Sequence, residues 1–224
     1  EFGEERSEYV LRENGGVDLT VENVLYGAGV GAFRKTYSEI LPEDRSRRYQ
    51  TLLGQVAQAA SATSDLETDV ESYPATQKFS CYIPDFATVQ GDAMTIQVPP
   101  LVTSVPSLVG RARRTPFAVA AVDGEAETVT VKFPEGYTEI ECLPKPFVFA
   151  NPLNPSEVWL ESKVSTSVSD GLLTVVLSRK VRKRADSRFD RSFYELVKDW
   201  ARLASSRASR TIVVRRARQQ EPAE

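Results

Sequence analysis

Apolar and polar residues alternate most clearly in Glu127–Pro144, ETVTVKFPEGYTEIECLP. Val129, Val131 and Phe133 fall on one side, with Thr128, Thr130 and Lys132 on the other. A period of two marks a half-buried strand. Pro134-Glu135-Gly136 breaks the run, and a second extended run, Tyr137–Leu143, follows. Strand, turn residues and strand in that order form a hairpin candidate.

The same alternation recurs along the chain. Val17, Leu19 and Val21 predict a strand; so do Phe79, Cys81 and Ile83, and Met94, Ile96 and Val98. Phe117–Val122, Phe147–Phe149, Val158–Val168 and Leu172–Val181 extend the series, with Ser169-Asp170-Gly171 as a hairpin turn between the last two. Two helical segments interrupt the strands early. Phe33, Tyr37, Ile40 and Leu41 share one helical face. Pro42 opens a second helix, with Glu43 and Asp44 placed to complement its dipole and Tyr49, Leu52, Leu53 and Val56 as its stripe. A third helix carries Phe193, Leu196, Val197, Trp200 and Ala204 on one side, and Ser192 and Glu195 have the spacing of a capping box. Strands come in blocks and do not alternate with helices, which disfavours a parallel α/β sheet. The fold class is mainly β (α+β): an antiparallel β-sandwich with two N-terminal helices and one C-terminal helix packed on it. Residues 1–16 are charged, end in Asn14-Gly15-Gly16, and read as a linker segment. Residues 17–216 form a single domain with a helical insertion at about 30–60, and 217–224 a frayed tail.

Composition narrows the chemistry. The 224 residues are 41% hydrophobic and 26% charged, as in ordinary globular proteins, and long enough to form a core without metal or disulfide support. The net charge of −3 argues against nucleic acid as partner. The charge is uneven: residues 1–80 hold 14 acids and 8 bases, and residues 179–224 hold 14 bases and 6 acids. Histidine is absent, which removes the commonest general base and zinc ligand. Two cysteines, Cys81 and Cys142, are too few for a cysteine-rich metal site. No cofactor motif is present: Gly27, Gly29 and Gly31 lack the spacing of a phosphate-binding loop. No apolar run is long enough for a membrane span.

Four stretches in this order resemble the C-terminal domain of unknown function of bacterial exported transglutaminase-like proteins. They are PEDRSRRYQTLL (42–53), YPATQKFSCYIPDFATVQGDAMTIQVPPL (73–101), RRTPFAV leading into VTVKFPEGYTEIECLP (113–144), and YELVKDWARLASSRASRTIVVRR (194–216). The resemblance implies a mostly β accessory module, periplasmic or extracellular, beside a transglutaminase-like domain that carries a Cys-His-Asp type triad. That triad does not transfer to a chain without histidine. The resemblance therefore implies a non-catalytic module, not an enzyme, whose partner is the adjacent catalytic domain or another protein.

Few residues stand out as contacts. Trp159 alternates with Glu157, Glu161 and Lys163, which places it on the polar face of its strand as a candidate interface residue; the competing reading is cover by one of the chain's own helices or loops. Tyr82 and Tyr137 join it in a second reading, a carbohydrate-binding module using exposed aromatics. Arg179, Lys180, Arg182, Lys183 and Arg184 form a candidate basic patch for phosphates or an acidic surface; the competing reading is a solvated strand end. Glu139 and Glu141 share a strand face, which on a solvated strand carries no acid–base role. Cys81 and Cys142 both read as inward-facing, either as buried free thiols or as one disulfide.

Overall fold

The computed structural model of the chain describes residues 2–99, 115–119, 124–151, 153–181 and 187–217. In chain order the strands are β1 (Phe2–Leu11), β2 (Val17–Leu25), β3 (Ser61–Ala62), β4 (Glu67–Asp69), β5 (Ala75–Ile83), β6 (Thr88–Gln90), β7 (Ala93–Gln97), β8 (Phe117–Val119), β9 (Gly124–Lys132), β10 (Tyr137–Cys142), β11 (Phe147–Asn151), β12 (Asn154–Ser169), β13 (Leu172–Val181), β14 (Ser187–Phe189) and β15 (Thr211–Arg216). The helices are α1 (Ala28–Ser38), α2 (Pro42–Val56) and α3 (Tyr194–Ser205).

The fold is mainly β, α+β, with a large mixed sheet, a second sheet and three helices. The large sheet runs β11-β12-β13-β9-β1-β2-β5, with β3 and β4 both paired to the outer side of β5. The second sheet runs β10-β15-β7-β6, and β8 pairs with β14 in a ribbon. Neighbours are antiparallel except β1 and β9, which are parallel. The large sheet is therefore mixed, a departure from the antiparallel expectation.

One face of the large sheet is the core face. Leu19 and Val17 of β2, Cys81 and Phe79 of β5, Val129 and Val131 of β9, and Leu173, Val175 and Leu177 of β13 point to it. Met94 and Ile96 of β7 and Ile212 and Val214 of β15 pack against them from the second sheet, and Tyr37, Tyr49 and Leu53 from α1 and α2. Burying each such side chain contributes about 1.5–3 kcal/mol relative to exposure. The other face is polar: Arg6 joins Glu4 and Glu22, and Lys132 joins Glu8 across the ladder.

Three further expectations change. Residues 2–11, read as a linker, form β1 in the middle of the sheet. Among its described side chains only Ser7, Tyr9 and Leu11 are buried, so the strand looks like a charged leader in sequence. The run 124–142 is not a hairpin. β9 belongs to the large sheet and β10 to the second, so Phe133–Gly136 carries the chain between layers, with Gly136 at φ 85°. The capping box is replaced: Asp190 accepts from the Ser192 backbone N–H at 2.9 Å and caps a 3-10 turn, while Glu195 pairs with Lys198. Residues 218–224 of the expected tail lie outside the described residues; Ala217 N–H donates to Gly136 C=O at 2.8 Å. By contrast, Pro42 does open α2, and Asp170 and Gly171 make the hairpin turn with φ of 52° and 74°.

The third helix rests on two satellite clusters apart from the main core. Trp200 stacks on Phe149 at 5.1 Å between ring centroids and meets Trp159 edge-on at 6.1 Å. Trp200→Ala should cost about 2–3 kcal/mol in urea denaturation, below the range for a fully buried tryptophan because this ring is half-buried. A loss under about 0.5 kcal/mol would show that these rings do not hold α3.

Candidate functional site

The inward parity of the strands sets up an uncommon arrangement. On β9, Val131 and Val129 lead back to Glu127; on β13, Val175 and Leu177 lead on to Arg179; on β1, Tyr9 and Ser7 lead back to Glu5. Register places Arg179 opposite Glu127 and Glu127 opposite Glu5. The row continues to Ser162 of β12 beyond Arg179, and to Asn23 of β2 and Gln77 of β5 beyond Glu5. One transverse row of the core face is thus polar from β12 to β5.

The row is held by few hydrogen bonds. Gln77 donates to the Tyr37 hydroxyl at 2.7 Å, and Asn23 donates to Gln77 at 3.4 Å. Arg179 Nη1 donates to Glu127 Oε2 at 3.4 Å, a long contact for a charge pair. The Arg179 side chain is 2% exposed, and its Nε and Nη2 are buried with no partner; so is Nε of Arg210.

Electrostatics follow from burial. Removal from water raises the Glu127 carboxyl to about 7, against the pull of Arg179. Glu5 keeps solvent contact, yet protein atoms crowd its inner side and raise its carboxyl, while a hydrogen bond from Ser7 works the other way. Burial lowers the Arg179 guanidinium, Glu127 opposes that, and the neighbouring Arg210 adds to it. Among the described residues no group of three or more acids or cysteines is arranged to hold a metal ion.

The residues singled out in sequence lie elsewhere and do not form one surface. Tyr137 is 2% exposed within the main core and is not available as a contact. Arg12, itself paired to Asp18 at 2.7 Å, lies over the Tyr82 ring at 4.5 Å. Trp159 packs with Tyr194, Val197 and Trp200 of α3 instead of facing solvent. Its direction has a local cause. On β11, Phe149 pairs with Leu160 and Ala150 with Val158, so Trp159 is the extra residue of a bulge. A bulge re-aims a side chain and defeats parity read from sequence. The basic patch also divides: Arg179 is inside the sheet face, Lys180 is exposed, and Arg182, Lys183 and Arg184 lie outside the described residues. Glu139 and Glu141 are exposed, and Arg215 holds Glu141 at 2.8 Å and Asp92 at 2.8 Å.

Both cysteines are free; Cys81 is buried and Cys142, expected inward, is exposed because β10 turns only its first residue to the core. Comparison with protein-family models, curated proteins and solved structures finds no match for the chain.

Sequence reasoning missed the polar row, although parity carried a signal: Glu127 and Arg179 each sit two residues beyond a buried apolar position. Two measurements test this arrangement. Glu127 binds its proton more tightly folded than unfolded, where its ordinary value is 4.5. Its contribution to stability should be full below about pH 4.5, decline as pH rises, and be lost above about 7, a change of roughly 3 kcal/mol. Glu127→Gln should flatten that decline; an unchanged pH profile of urea denaturation would remove Glu127 as its source. Separately, a thiol reagent should modify Cys142 in native protein and Cys81 only after unfolding; equal rates would contradict the burial of Cys81.

Proposed function

We propose that the chain is a non-catalytic accessory module of an exported transglutaminase-like protein and that it docks on the catalytic domain. The resemblance of the four ordered stretches supports the family reading and, with it, a periplasmic or extracellular setting. The two thiols support the absence of cysteine catalysis. Burial raises the Cys81 thiol, and the chain has no histidine to activate either cysteine. Among the described residues no helix is long and apolar enough to cross a membrane.

The observation that carries the docking reading is α3. Its inner side is taken up by Tyr194, Val197 and Ala204 on the satellite clusters. Its flank presents Leu196, expected on the inner stripe, and Leu203, 40% and 41% exposed and one heptad apart, beside the pairs Glu195–Lys198 and Asp199–Arg202. Exposed leucines bordered by charge give a contact surface an apolar centre and a polar edge. The carbohydrate reading loses its support, since its three aromatics share no exposed face.

Titration of the transglutaminase-like domain into the module tests this. Leu196→Asp should leave folding stability within about 0.5 kcal/mol and weaken docking about 10-fold or more. Equal affinities for the wild type, Leu196→Asp and Leu203→Asp would remove α3 from the interface.

A further inference from the structure

We propose that the free edge of β12 pairs with the same edge of a second copy of this chain, joining two large sheets across a two-fold axis at Thr166. The inference does not rest on the docking surface of α3. β13 pairs with β12 along Leu160–Ser169, whereas β11 reaches only Ser162. Pro144 and Pro146 precede β11, and proline has no N–H with which to extend the ladder. Among the described residues, Lys163–Ser169 therefore has no strand on its outer side. An open row of backbone N–H and C=O groups is a template for another strand.

Proteins usually guard such edges with proline, charge, a bulge or short length. This edge is seven residues long, keeps regular register with β13, and holds neither proline nor glycine. Its one charge, Lys163, is engaged by Glu161 at 2.9 Å. Val164, Thr166 and Val168 lie opposite Leu177, Val175 and Leu173 on the core face. The cover of that face ends before them: Thr166 is exposed, and Val168 is 57% exposed.

The segment itself points to its occupant. Val164-Ser165-Thr166-Ser167-Val168 reads the same in both directions about Thr166. In an antiparallel pair of copies centred there, Thr166 meets itself, Ser165 meets Ser167, Val164 meets Val168 and Lys163 meets Ser169. A two-fold interface requires this self-complementarity, and hydroxyl–hydroxyl and β-branched pairs support an antiparallel ladder. The two lysines lie six positions apart, about 20 Å, beyond the screening length of about 8 Å at physiological salt. Length fits as well. The open edge begins where β11 ends and stops at the Asp170-Gly171 turn, so a second copy's strand fills it from end to end. Seven residues make a small interface, so association is weak and concentration-dependent.

Sedimentation equilibrium of the whole chain, from about 10 μM to about 1 mM, tests this. The average mass should rise toward that of a dimer. Thr166→Lys sets two ammonium groups opposite each other and should weaken association about 10-fold or more, with an unchanged urea midpoint. Register is read by oxidation in a Cys142→Ser background. Thr166→Cys should form a disulfide-linked dimer, since directly opposed residues are about 4.5–5.5 Å apart, whereas Ser169→Cys should not. The proposal is overturned if the chain stays monomeric throughout, if Thr166→Lys associates as the wild type does, or if Ser169→Cys links as fast as Thr166→Cys. Association lost in Leu196→Asp but kept in Thr166→Lys would also overturn it and assign self-association to α3.

Discussion

The parallel ladder between β1 and β9 joins the two halves of the large sheet. On one side lie β2 and β5 with α1 and α2; on the other lie β9, β13, β12 and β11 with α3. Nine residue pairs, from Phe2 opposite Gly124 to Val10 opposite Lys132, make this joint. Parallel pairs are slightly weaker per residue than antiparallel ones. Here the side chains reinforce the joint on both faces. Lys132 reaches Glu8 at 2.8 Å on the polar face, and Tyr9 and Val131 are buried side by side on the core face.

The polar row crosses that joint, and its energetics follow from its position. Below it, toward Leu11, Val17 and Leu173, the second sheet covers the core face with apolar side chains. At the β11–β12 end, Phe149 and Leu160 meet α3. Between these covers lie Glu5, Glu127 and Arg179, too enclosed for full solvation and too sparsely bonded for full pairing. Replacing such a pair with apolar residues is often neutral or stabilising, whereas removing one partner is costly. Perturbed carboxyls beside a specific cation are a mark of functional sites.

The fold was largely legible because most strands obey their period. Val129 and Val131, Leu173 to Leu177, and Phe79 to Ile83 are buried as their alternation requires. Legibility failed where tertiary context overrode local pattern. β1 carries Glu4, Glu5, Arg6 and Glu8 within a central strand, and only pairing on both sides explains it. A hairpin and a passage between two sheets look alike in Pro134-Glu135-Gly136, because both need the same turn chemistry. The polar-face parity of Trp159 failed at a single bulge residue, which leaves no sequence mark, whereas cover by one of the chain's own helices matches its packing on α3. Arg179 was grouped with the bases that follow it, although its place after Leu173, Val175 and Leu177 put it on the inner face.

The Glu127 carboxyl is held between water and Arg179, and side-chain carbon-13 NMR reports that group directly. The Glu127 carboxyl signal should titrate with a midpoint near 7, well above the ordinary 4.5. Substituting Glu5 with Gln should lower that midpoint by removing a neighbouring negative charge. A Glu127 midpoint near 4.5 in the folded protein, unmoved by Glu5→Gln, would contradict the enclosed and under-paired row.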